Sequence, residues 1–236
     1  MRPMRSFGGG GFGFAGVDSM AAKLAIGLVV GSVLSLLLGE TGVLLLLSPE
    51  GVLSHLLLWQ PFTYGFIDRS PLGIIFGAMI LYSIGGGLEM SWGPRRLLAV
   101  VWGGSVLAGL LTVAVSLFMH LPNGYPGGRV MTTLVWVTYG LSLGRAQSNF
   151  WGIPVTGNVL AGIGAGFILL NGLTAGWVTQ IPELFALVIA FVVTRGFNPR
   201  HLWLRVQHWR LQRQLRGRSR HLRVISEERP NDRYLN

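Results

Sequence analysis

Six stretches of this chain are apolar enough to demand a bilayer, and they constrain its fold more than any other feature. A membrane-crossing helix needs about 20 largely apolar residues. Residues 20–38, 71–90, 97–121, 129–144, 151–170 and 182–195 reach or approach that length. The fourth and sixth are short, which implies little tilt, a start below the surface or locally thinned lipid. Only 12% of the 236 residues are charged, against roughly 25% in soluble proteins. The 35 glycines and 8 tryptophans suit membrane helices and their interfacial belts. A soluble enzyme and a largely disordered chain are excluded. The chain has no cysteine, so disulfides, thiolate metal sites and cysteine catalysis are excluded too.

The formal charge of +10 is concentrated in a tail: 11 of the 19 Lys and Arg residues lie in 195–233. Positive residues accumulate on the cytoplasmic side of membrane proteins. With six spans and the amino terminus inside, that side holds Arg2, Arg5, Lys23, Arg95, Arg96, Arg145 and the tail arginines, while Arg69 and Arg129 face outward. The expectation is an all-α polytopic protein with both termini cytoplasmic. It divides into a Gly-rich segment (1–19), a membrane domain (20–195) and an Arg-rich tail (196–236). With no cleavable leader recognisable in 1–14 and a strong positive-inside bias, a bacterial inner membrane is the expected location, with an organellar membrane as the alternative.

The connection 39–70 is too apolar for a solvated loop, and Pro49, Gly51, Pro61 and Asp68 prevent a single span. It should lie in the outer interface as short amphipathic helices. Ordinary interfacial anchoring by Trp59, Phe62, Tyr64 and Phe66 explains it about as well.

The run Leu58-Trp59-Gln60-Pro61-Phe62-Thr63-Tyr64-Gly65-Phe66 resembles the first outer loop of rhomboid intramembrane serine proteases. The run Gly85-Gly86-Gly87-Leu88-Glu89, with Gly93 and Arg95-Arg96, resembles the end of their second span. The similarity covers roughly residues 24–195 and implies a six-helix rhomboid-like bundle with a membrane-embedded first outer loop. Its family motif residues are Trp59, Gln60, Phe62 and Thr63 in the loop, and Gly86, Glu89, Gly93 and Arg96 in the span.

Rhomboid chemistry, as the resemblance implies, needs a serine nucleophile opening the fourth span, a histidine base in the sixth, and oxyanion donors from the second. A hydroxyl becomes an effective nucleophile only beside a positioned base, and its tetrahedral intermediate needs pre-placed donors. The matching turn is Gly124-Tyr125-Pro126-Gly127, with Pro126 at the serine position. The donor positions fall at Gly73 and Gly77. The base position is Gln180, or Pro182 under a shifted alignment. Losing nucleophile or base alone costs on the order of 10⁶ in rate in a serine protease. The resemblance is therefore to an inactive member, a pseudoprotease.

Other features have simpler readings. Gly140-Leu141-Ser142-Leu143-Gly144 fits a hydrolase elbow, but that elbow needs a strand-to-helix turn on an α/β sheet. His55 and His120 read as interfacial. Small residues four apart permit close helix approach and occur as Gly27/Gly31, Gly73/Gly77, Ser105/Gly109, Gly140/Gly144, Gly162/Gly166 and Ala186/Ala190. Together they suggest one compact bundle, and a homodimer seam is allowed but not required. Glu89, at the cytoplasmic end of its span, should snorkel or bond Arg95 or Arg96 as a structural clasp, and Glu183 should complement the start of the sixth span. The Arg-rich tail suits contact with anionic lipid, whereas specific nucleic-acid binding has no supporting fold. No cofactor or metal is called for.

The expected function is noncatalytic binding of client transmembrane helices beside the second and fifth spans. The alternatives are an active intramembrane serine endopeptidase with displaced catalytic residues, and a transporter or channel, for which broken midplane helices are missing.

Overall fold

The computed structural model describes residues 18–150 and 153–196. The glycine run 8–11 and the Arg-rich stretch beyond residue 196 lie outside the described residues.

Helix α1 (Met20–Leu37) starts at Ser19, whose hydroxyl accepts the Ala22 N–H at 3.1 Å. The connection to the next long helix folds into short pieces, as the prolines and glycines require. They are a 3₁₀ turn (Thr41–Leu45), α2 (Pro49–Ser54), α3 (Gln60–Thr63) and a second 3₁₀ turn (Tyr64–Phe66). Helix α4 (Pro71–Trp92) is capped by Ser70 with proline in its first turn. It ends at Gly93, whose φ of 84° reverses the chain into Pro94. The third long helix runs from Pro94 to Ser116 as α5 (Pro94–Leu98), a π turn (Ala99–Gly103) and α6 (Gly104–Ser116). Then follow α7 (Gly128–Leu143), the antiparallel strands β1 (Gln147–Phe150) and β2 (Ile153–Thr156), and α8 (Gly157–Ala175). A 3₁₀ turn (Trp177–Gln180) leads into α9 (Ile181–Arg195).

Three expectations are corrected. The fifth long helix starts at Gly157, not at residue 151, because Ile153–Thr156 pair with β1. Pro154 is tolerated in a two-stranded hairpin because a strand with an open edge needs no ladder donor there. The fold is thus helical with one small hairpin. The last span is not short either: the 3₁₀ turn extends it to Trp177–Arg195, 19 residues. The third span shifts toward the amino terminus, starting at Pro94 and ending at Ser116.

Among the described residues, five helices are long and apolar enough to cross a membrane. At 16 residues, α7 is only about 24 Å long at 1.5 Å per residue, less than the hydrocarbon thickness of about 30 Å. Helix α7 packs against α4, α6, α8 and α9, and Val130, Met131, Leu134 and Val135 are fully buried. Around it, the long helices turn Ile26, Val30, Leu37, Leu110, Leu173 and Val188 outward, the pattern expected where lipid is the solvent.

Packing sorts the small-residue pairs. A Cβ on Gly31 would lie 2.5 Å from the Phe66 carbonyl, and one on Gly140 would lie 2.6 Å from the Ala161 nitrogen. Ala186 and Ala190 are wholly buried. Gly162 and Gly166 contradict the pattern: both are exposed, with nothing within 4 Å. They lie on the face of α8 turned away from α7.

Glu89 also departs from expectation. Its two oxygens accept the Met20 and Ala21 N–H groups at 3.0 and 2.8 Å, capping α1 from α4. The orphan donors of a helix start hold a carboxylate better than an exposed arginine does. Arg96 instead lies over the Trp92 ring at 4.2 Å.

Candidate functional site

The outer-loop motif is a set of clamps. Buried Gln60 receives the Ser48 N–H at 2.9 Å and donates to the Leu44 carbonyl at 3.2 Å. Trp59 donates to the same carbonyl, and the Thr63 hydroxyl donates to Leu45 at 3.0 Å. These bonds satisfy backbone groups of the loop with side-chain partners. Phe62 is half exposed, its ring 6.1 Å from that of Trp102. Tyr64 was expected as an interfacial anchor, but it is fully buried and donates its hydroxyl to the Ser105 carbonyl. Burial pushes its phenol well above the ordinary range, and the nearby Glu183 carboxylate adds to the effect.

The clamped loop in turn holds the turn before α7. Leu47 and Tyr125 bridge backbone to backbone at 3.1 and 2.8 Å. The Gly127 and Gly128 N–H groups donate to the Tyr64 and Ile67 carbonyls, both at 2.9 Å. Only glycine fits at 127, because a Cβ there would strike the Tyr64 ring. Tyr125 donates its hydroxyl to the Val178 carbonyl at 3.0 Å, tying the turn to the segment before α9. Burial, then the Glu183 charge, raise the Tyr125 phenol to about 12.

Pro126 and Gln180 line one cavity of about 460 Å³, together with Ser70, Arg129 and Glu183. A second cavity of about 470 Å³ shares Asp68, Arg129, Gln180 and Glu183 with the first. It continues between α4, through Gly73, Phe76 and Gly77, and α8, through Gly164 and Phe167. Both helices pack on α7, and their mutual contact is slight among the described residues. The cleft is therefore walled by α4 and α8 and backed by α7. Phe76 and Phe167 are both half exposed on its walls.

The polar end of the cleft lies where α4, α7 and α9 begin. Asp68 is buried. Its backbone N–H donates to the Ser32 hydroxyl, and its Oδ1 accepts the Ser70 N–H at 2.8 Å. This carboxylate explains Gly73, since a Cβ there would lie 2.6 Å from both oxygens. Gly77 faces Leu28 and Thr132. The two glycines thus have packing reasons, and the face they offer is partly covered. Gln180 precedes α9 and Glu183 occupies its first turn, where an acidic side chain matches the helix dipole. Both are buried, and Gln180 Oε1 and Glu183 Oε2 have no hydrogen-bond partner.

The arrangement lacks the parts of acyl-transfer chemistry at the matched positions. Proline offers neither a hydroxyl nor an N–H, and a glutamine amide is no base. The next two backbone donors are already engaged. Among the described residues no histidine lines either cavity. The Thr132 and Thr179 hydroxyls donate to Gly128 and Gly176 carbonyls, and the Ser70 oxygen caps α4. Ser142 is remote from the cavities, bonding back to the Tyr139 carbonyl at 2.8 Å. No three His, Asp or Glu side chains gather into a metal site among the described residues.

Asp68 and Arg129 were not anticipated as site residues. Asp68 reads in sequence as a helix breaker and Arg129 as an outward charge. The available signal was that each charged residue sits within three positions of a helix start on the same side of the membrane.

Residues 22–134, a little under half of the chain, match the model of a family described as eukaryotic integral membrane protein (DUF1751). The match runs from the first turn of α1 to the middle of α7. Together with the apolar helices, it makes the chain an integral membrane protein. The eukaryotic description is at odds with the bacterial inner membrane expected from the sequence. No curated protein matches the chain.

Proposed function

We propose that the chain is a six-span, rhomboid-like pseudoprotease that holds a transmembrane helix of a client protein in the cleft between α4 and α8 without cutting it. The single observation that carries this reading is an apolar cleft between α4 and α8 that adjoins, through Gln180, the cavity lined by Pro126. Short α7 acts as the sixth crossing because its neighbours cover it. Both termini face the cytoplasm, following the positive residues, and the Arg-rich tail lies on anionic lipid.

A benzophenone amino acid placed at Phe76 or Phe167 tests the reading. In proteoliposomes it should crosslink a co-reconstituted single-span protein, and the adduct should have the mass of the intact client. Adducts with lipid alone, or equal yield from Leu110 on another face, would refute it.

One observation favours a second reading, a serine peptidase with displaced catalytic residues. Ser70 lines the same cavity as the Glu183 carboxyl. Labelling of the purified chain by a fluorophosphonate, lost in Ser70→Ala, would establish it.

A further inference from the structure

The cleft is polar at one end and apolar along the rest, and two buried acceptors at its polar end have no donor. Gln180 and Glu183 are each more than nine-tenths buried, with unpartnered oxygens. The orientation of the Gln180 amide follows from its neighbour. The Thr179 hydroxyl donates to the Gly176 carbonyl at 2.7 Å, so its oxygen can only accept the Gln180 Nε2–H at 3.2 Å. Gln180 therefore presents Oε1, an acceptor, and Glu183 presents a carboxyl oxygen. The charged groups of the cleft are Asp68, Glu183 and Arg129, and Arg69 lines the adjoining cavity. Arg129 bonds to neither carboxyl among the described residues, and more than a third of it is exposed.

Unpaired acceptors are expensive where water is scarce. An occupant that completes this end must bring N–H donors, and a lysine or arginine brings donors only, whereas an amide also brings an acceptor. The rest of the cleft, lined by Phe76, Ile80, Phe167 and Ile168, suits an ordinary apolar helix face. Asp68, Arg129, Gln180 and Glu183 sit at the starts of α4, α7 and α9, within about one helical turn, roughly 5 Å, of those helix ends, and Asn171 lies near the end of α8.

We infer that the cleft selects client helices carrying a lysine or arginine near the end of the span that lies beside the start of α9. The inference rests on the helix-binding reading and specifies its client. The basic side chain donates to Gln180 Oε1 and the Glu183 carboxyl, while the remaining client surface packs on the phenylalanine walls.

The test uses the full chain with benzophenone at Phe76, in proteoliposomes, and three leucine-rich single-span peptides. They differ only at one position near the relevant end, which is Lys, Asn or Leu. Interhelical hydrogen bonds in membranes predict about threefold to tenfold greater capture of the Lys peptide than of the Leu peptide. The gain should vanish when the lysine moves to mid-span and fall in Glu183→Gln. Equal capture of the Lys and Leu peptides, or an Asn peptide matching Lys, would overturn the inference. The three peptides are compared on one and the same labelled chain, so the comparison does not depend on a second variant folding. If all three peptides are captured equally, only the selectivity is wrong. If none is captured above the Leu110 control, the helix-binding reading itself fails.

Discussion

Replacing Gly140 by alanine puts a methyl group where α7 and α8 touch backbone to backbone. The new Cβ would lie 2.6 Å from the Ala161 nitrogen and 2.7 Å from the Gly157 carbonyl oxygen. Neither atom can rotate away as a side chain would. A carbon needs roughly 3.5 Å, so α8 must retreat by nearly 1 Å. A gap of 0.5–1 Å forfeits about a quarter to a half of the dispersion well of each contact along the seam. Overpacking of this kind destabilises by about 1–3 kcal/mol. Gly166→Ala makes the same chemical change on the same pair of helices, but its Cβ meets nothing. It should gain up to about 1 kcal/mol from helix propensity. That gain is common to both positions, so the two variants should differ by about 1–3 kcal/mol, with Gly140→Ala the weaker. Reversible unfolding by sodium dodecyl sulfate from a mild detergent, followed by tryptophan fluorescence, measures the difference. An unfolding midpoint for Gly140→Ala equal to or above that of Gly166→Ala would refute the reasoning.

Glu89→Ala removes two bonds at the start of α1; it should lower stability by about 1–2 kcal/mol, and hydrogen exchange should rise first at Met20 and Ala21. Thr138 is fully buried, and its hydroxyl has no partner. Thr138→Val removes that group at nearly constant volume and should raise stability by about 1 kcal/mol, read as a higher unfolding midpoint; a lower midpoint would mean the hydroxyl is bonded. For Tyr125 the folded pKa of about 12 exceeds the ordinary 10. The neutral phenol therefore contributes stability that is complete below pH 10 and lost as pH rises toward 12. A phenolate absorbance titration of the native chain minus Tyr125→Phe should show its step near 12, not near 10.

The long helices were legible because lipid makes hydropathy almost a direct readout of span. What the sequence concealed came from contacts between distant residues. Glu89 looked paired with Arg95 and Arg96, its neighbours in the chain, yet it bonds Met20 and Ala21 almost 70 residues away because α1 packs on α4. Tyr64 read as an interfacial aromatic, but only the folded loop shows its hydroxyl reaching Ser105. The start of α8 was misplaced because Ile153 and Val155 are as apolar in a strand as in a helix. Pro126 and Gln180 were found as matches to a motif. Asp68, Arg129 and Glu183 carry no motif, and they converge on those positions only through the common direction of α4, α7 and α9.

The most direct test of the account is the binding of a single-span helix to the intact chain in proteoliposomes, read by energy transfer at equilibrium. It should be run beside Asn171→Trp, which fills the cleft from α8. The account predicts saturable transfer with the unaltered chain, loss of that transfer in the filled variant, and a helix recovered at its full mass. Transfer that is equal in both chains, or a helix recovered in two pieces, would contradict it.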